Sequence, residues 1–128
     1  MAQKLETTAT ILVVEDEILI RMDAVDYFSD EGFIVLEAGS ADEALHLLEN
    51  RGDIDFVFSY INMPGSLDGL ALCRRVAERW PQIGVIVTSG MMRPNKTSLP
   101  ERTLFFEKPY EYKRLLESLR RLGTSKSA

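Results

Sequence analysis

One cysteine, one histidine and one tryptophan stand among 128 residues, and these scarcities close off several classes of function. Cys73 alone cannot form an internal disulfide or a cysteine-based zinc site, and it suits a reducing compartment. His46 falls in the middle of a helical pattern, where an exposed polar side chain is expected, so no Ser-His-Asp set is in view. No glycine-rich phosphate loop of the GxGxxG or GxxxxGK kind occurs, which argues against a nucleotide binder. No run approaches the ~20 apolar residues that span a bilayer. The opening Met1-Ala2-Gln3-Lys4-Leu5-Glu6-Thr7-Thr8 lacks the apolar stretch of a signal peptide, so a cytoplasmic protein is expected. Acidic residues outnumber basic ones, 20 to 15. The formal net charge of -5 disfavours non-specific nucleic-acid binding, and Lys113, Arg114, Arg120 and Arg121 read as a solvated helix face.

What is present is an ordinary globular composition, 45% apolar and 27% charged, in a length that suits one domain. Short apolar runs alternate with helical patterns. Thr10 to Val14 is β-branched almost throughout, as in a strand buried on both faces. Residues 17–31 follow with Ile20, Ala24, Tyr27 and Phe28 on one stripe and Gly32 as a stop. A second strand over 33–36 leads to the capping box Ser40-Ala41-Asp42-Glu43 and a helix carrying Ala44, Leu45, Leu47 and Leu48. Further strands are predicted over 54–59, 83–87 and 104–106, and further helices over 68–80 and 111–122. Pro94 and Pro100 interrupt residues 92–103, so the fourth helix of the series is expected to be short, distorted or absent. Residues 1–8 should be disordered, 9–122 form the domain, and 123–128 a flexible tail. The fold class is α/β, a doubly wound five-stranded parallel sheet flanked by helices.

In such sheets functional groups gather beyond the carboxyl ends of the strands. Glu15, Asp16, Tyr60, Thr88 and Lys108 all fall at such ends. Singly each is weak: an acid pair after a strand serves as often as a helix N-cap, and a strand-end threonine is usually structural. Jointly, Val13-Val14-Glu15-Asp16-Glu17, Asn62-Met63-Pro64-Gly65 with Asp68-Gly69, Val87-Thr88-Ser89-Gly90, and Glu107-Lys108-Pro109 resemble the receiver domain of bacterial response regulators, the CheY-like family. The resemblance spans Thr10 to Leu122. It implies the flavodoxin-like strand order 2-1-3-4-5 and a place in two-component phosphorelay signalling, where a histidine kinase passes phosphoryl to an aspartate ending the third strand. It also implies roles by position: Glu15 and Asp16 for Mg²⁺ with the backbone carbonyl of Asn62, Thr88 and Lys108 for phosphate, and Phe105 as a switch aromatic. By the same resemblance Lys108-Pro109 is a cis bond.

Tyr60 occupies the acceptor position. Asp55 and Met63-Pro64 fix the register on either side, and Ser59 is no substitute because neighbouring strand side chains point to opposite faces. An aspartate is almost fully ionised at neutral pH, whereas a tyrosine is only about 0.1% phenolate. The expectation is a pseudo-receiver, not an enzyme, with weak or no Mg²⁺ binding and no other cofactor. It would act by contact with a histidine kinase, a phosphotransfer protein, a downstream target or a second copy. Leu99, Leu104, Tyr110 and Tyr112, and the turn Pro64-Gly65-Ser66-Leu67-Asp68-Gly69, are candidates for that surface. The alternatives are a phosphorylatable regulator whose acceptor was replaced, phosphotransfer to another acceptor, and a small flavodoxin-like enzyme.

Overall fold

The first strand, β1 (Thr10–Val14), is buried at every residue, as a β-branched run in a sheet interior should be. It pairs in parallel with β2 (Ile34–Ala38), Thr10 opposite Ile34 and Val14 opposite Ala38. The computed structural model describes residues 9–60, 68–89, 103–107 and 112–127. Five strands form one parallel sheet in the order β2-β1-β3-β4-β5, with β3 at Phe56–Tyr60, β4 at Gly84–Ser89 and β5 at Thr103–Glu107. Among the described residues four helices accompany them: α1 (Ile18–Asp30), α2 (Ala41–Asn50), α3 (Asp68–Arg79) and α4 (Tyr112–Ser127). Fold class and strand order are those expected. By internal contacts the chain divides into Met1–Phe58 and Ser59–Ala128.

In the first unit, α1 and α2 both pack on β1 and β2. Helix α1 ends in a Schellman motif. Gly32 takes a φ of 98° and its N–H donates to the Ser29 carbonyl at 3.0 Å, while the Phe33 N–H reaches the Phe28 carbonyl at 3.0 Å. The hydrophobic contact that accompanies this motif is present, because the Phe28 and Phe33 rings meet edge to face at 5.5 Å. Phe28 is fully buried and also meets Tyr27 and Phe58, each at 5.5 Å and near-perpendicular. It is the hub of this core. Helix α2 begins at the expected cap: Ser40 Oγ accepts from the Glu43 N–H at 3.1 Å, and the Glu43 carboxylate accepts from the Gly39 N–H.

Strand β3 starts two residues later than the pattern suggests. Ile54 is buried ahead of it, and Asp55 is held by a hook instead of a ladder. The Asp55 N–H donates to the Thr10 carbonyl at 2.9 Å, and the Asp55 carboxylate accepts from the Thr10 N–H at 3.0 Å. The strand ends at Tyr60, one residue beyond the expected stop at 59.

In the second unit, α3 and α4 pack against β4, burying Leu72, Cys73 and Val76 from one helix and Leu115, Leu116 and Leu119 from the other. Strand β4 runs through Ser89, beyond the expected stop at 87, which places Thr88 inside the ladder opposite Phe106. Helix α4 continues to Ser127, past the expected end at 122 and through the segment read as a tail. Lys113, Arg114, Arg120 and Arg121 are exposed, a solvated face as expected. Residues 1–8 and the proline-bearing interval 92–102, with the expected fourth helix, lie outside the described residues.

Burial pushes the Cys73 thiol up to about 12, against the opposing charge of Arg74. Above the unfolded thiol's pKa of about 8.5, unfolding releases a proton that the folded state still holds, so stability falls as pH rises from there toward the folded value. The native thiol is expected to resist an alkylating reagent at mildly alkaline pH and to react fully in denaturant. Rapid labelling of the native protein would show that α3 opens readily.

Candidate functional site

Strand β1 delivers its last ladder bond through the Glu15 N–H, which donates to the Ala38 carbonyl at 3.0 Å. Immediately beyond, the two acids part company. Glu15 is buried, only 2% exposed, whereas Asp16 is exposed. One oxygen of the Glu15 carboxylate accepts from the Glu17 N–H at 2.8 Å. Glu17 is the N-cap of α1 in extended conformation and makes no side-chain cap bond of its own. Glu15 therefore ties up a free amide at the helix entrance, the structural role that an acid pair after a strand commonly has. Its carboxylate and that of Asp16 remain hard oxygen donors of the type Mg²⁺ takes. Among the described residues no group of three or more His, Cys, Asp or Glu side chains is arranged to hold a metal ion.

Arg21, the only basic residue of α1, is a feature the sequence reading passed over. Its Nη1 donates to the Glu15 carbonyl at 2.8 Å and its Nε to the Glu37 carboxylate at 3.1 Å. The Arg21 side chain is 19% exposed and that of Glu37 48%. A lone arginine among the acids of α1 and a glutamate in an apolar strand were the available signals. Neither shows from spacing alone that the two meet.

In the second unit, Thr88 is fully buried in β4 and Ser59 is buried in β3, and neither hydroxyl has a hydrogen-bond partner among the described residues. Thr103 Oγ1 at the start of β5 is likewise unpaired. A buried hydroxyl left without a partner costs roughly 1–3 kcal/mol. The Thr88 hydroxyl thus keeps an unused capacity to accept or donate. Tyr60 is placed by its backbone as the end of β3, and Phe105 by its backbone in β5 opposite Val87. Asn62, Lys108 and the Lys108-Pro109 bond lie outside the described residues, as do Leu99, Tyr110 and residues 64–67 of the proposed contact turn. His46 is exposed on α2 beside Asn50, whose amide donates to the His46 carbonyl at 2.8 Å.

A family model for the response regulator receiver domain matches residues 11–120. The chain belongs to that family. It is a signalling domain of two-component systems, whose members exchange contacts with histidine kinases or phosphotransfer proteins. Among solved structures the chain is similar to the receiver domain of the hybrid histidine kinase CckA, at 32% identity and a TM-score of 0.72, covering 89% of this chain and 98% of that one. It is similar also to a response regulator receiver protein from Sinorhizobium medicae, at 25% identity and a TM-score of 0.83, covering 94% and 98%. In sequence it is 34% identical over 125 residues to the sensor kinase CckA of Brucella abortus, which is 94% of this chain and 13% of the kinase. It is 45% identical over 82 residues to the hydrogenase transcriptional regulatory protein HoxA of Cupriavidus necator, 64% of this chain and 16% of that protein. This chain thus spans well under two thirds of the length of these relatives. No described helix is long and apolar enough to cross a membrane.

Proposed function

We propose that this receiver takes no phosphoryl group at the usual position and signals in the cytoplasm by protein–protein contact, with Tyr60 holding one state of the site. The observation that supports this reading is Tyr60 as the last residue of β3, the position that the resemblance matches to the family's acceptor aspartate. A neutral phenol is a poor nucleophile at neutral pH, and its oxygen stands farther from the backbone than a carboxylate's. It also removes the third anion of the cluster. In the arrangement the family implies, Glu15 and Asp16 set against Lys108 would leave a single net negative charge, where three carboxylates would leave two. Like charges ~4 Å apart repel by roughly 4 kcal/mol at an effective dielectric of about 20, so the cluster without metal is more comfortable and needs a cation less. The two acids and the Asn62 carbonyl suit a hard divalent ion, held weakly; when bound, such an ion would neutralise the acid pair.

The partner is a histidine kinase, a phosphotransfer protein, a downstream target or a second copy of the chain. Similarity to part of a sensor kinase and part of a transcriptional regulator supports a place in such a relay, without selecting among these. One observation favours a second reading, a phosphorylatable regulator whose acceptor has been replaced. The acid pair and Thr88 are kept, and the Thr88 hydroxyl is still unpaired.

Amide spectra of the ¹⁵N-labelled protein separate the two. With Mg²⁺ and acetyl phosphate added, the parent is expected to show no shift at Glu15, Glu17, Thr88 or Phe105 beyond that from salt alone. Saturable shifts spreading from Thr88 into β5 would mean that the site still switches on phosphate.

A further inference from the structure

The loop that carries the acid pair is pinned at three atoms of a single residue. The Glu15 N–H bonds to Ala38, its carboxylate to the Glu17 N–H, and its carbonyl to Arg21 Nη1. The first two are an extension of the ladder and a local turn. The third comes from a side chain anchored elsewhere, because Arg21 Nε is held by Glu37 on β2. The fit around the guanidinium is close. A Cβ added at Gly39 would lie 3.2 Å from Arg21 Nη1 and 3.3 Å from the Glu43 carboxylate, so a side chain at 39 would press on the latch.

We propose that Arg21 is the positioning residue of the acid pair: its two-pronged guanidinium locks the Glu15 carbonyl to Glu37 and so fixes where the Glu15 and Asp16 carboxylates stand. The geometry calls for a fork more than for a charge. Nε and Nη1 are rigidly spaced donors that serve two acceptors at once, and an ammonium on a flexible stem is not pre-organised to do so. Asp16 directly follows Glu15 and takes its position from it. The first turn of α1, which exposes Ile18 and Leu19, leaves the same pinned loop. The inference rests on reading the acid pair as the cation-facing part of the site.

Arg21→Lys and Arg21→Gln test it, since both keep a long stem and the first also keeps the charge. In the parent background, both are expected to lower hydrogen-exchange protection of the Glu15 and Glu17 amides by about tenfold, with Ile11, Leu12 and Val13 unchanged. In a Tyr60→Asp background, both are expected to weaken Mn²⁺ binding about tenfold or more, the usual consequence of losing an outer-shell partner. Unchanged protection at Glu15 and Glu17, or a loss shared equally by all of β1, would overturn the proposal. Full retention of protection and Mn²⁺ affinity by Arg21→Lys would reduce Arg21 to a charge and overturn the fork. If Tyr60→Asp itself binds no Mn²⁺, the reading of the acid pair fails, and the amide exchange of the parent still decides the role of Arg21.

Discussion

Tyr60→Asp is expected to bind Mg²⁺ about a hundredfold more tightly than the parent, equivalent to roughly 2.7 kcal/mol. On the proposed site assignment, the substitution would restore a third hard oxyanion at the end of β3 and raise the net negative charge of the acid cluster by one. A divalent ion then relieves repulsion that the parent does not suffer, so part of the gain comes from the apo state. The net effect is well below the gross Coulomb attraction, because Mg²⁺ gives up water reluctantly. Calorimetric titration of both proteins at one ionic strength measures it. Parent and variant binding equally would mean that the pocket has departed from the family beyond position 60.

The second large effect lies in the core. Phe28→Ala is expected to lose about 3–5 kcal/mol of unfolding free energy, the usual range for truncating a buried phenylalanine. Phe28 is fully buried, meets three rings edge to face, and sits at the Schellman turn that ends α1. Its removal takes apolar area, ring contacts and the contact that seals the helix end. On the same helix Leu19 is 80% exposed, and Leu19→Ala is expected to stay within about 0.5 kcal/mol of the parent. Urea unfolding curves of the three proteins give the comparison. A Phe28→Ala loss below about 1.5 kcal/mol would show that neighbouring rings collapse into the space.

Much of this fold is legible in the sequence because local and tertiary signals agree. The β-branched run of β1, the glycine ending α1 and the Ser40 cap of α2 each have one cheap conformation, and the structure takes it. Strand ends are less legible. Ile54 reads as strand because it is apolar, but Asp55 exchanges bonds with Thr10 through its carboxylate, a pairing that apolar periodicity does not encode. The strand's far end also lies one residue beyond the pattern, at Tyr60. The end of α4 departs from the pattern for a different reason. Gly123 is a plausible stop, but no proline follows it to enforce one, and the helix runs on to Ser127. At the site, Glu15, Asp16 and Thr88 stand out by type and by place at strand ends. Arg21 and Glu37 do not, since their meeting depends on how α1 crosses β2 and not on any spacing along the chain.

The most direct trial of a receiver that accepts no phosphoryl is to weigh it. The parent and Tyr60→Asp are each incubated with Mg²⁺ and acetyl phosphate and measured intact by mass spectrometry. The parent should keep its mass, while the Asp variant should gain a single acid-stable but base-labile phosphoryl adduct. A phosphoryl adduct on the parent, at tyrosine or at any other residue, would contradict the reading given to position 60.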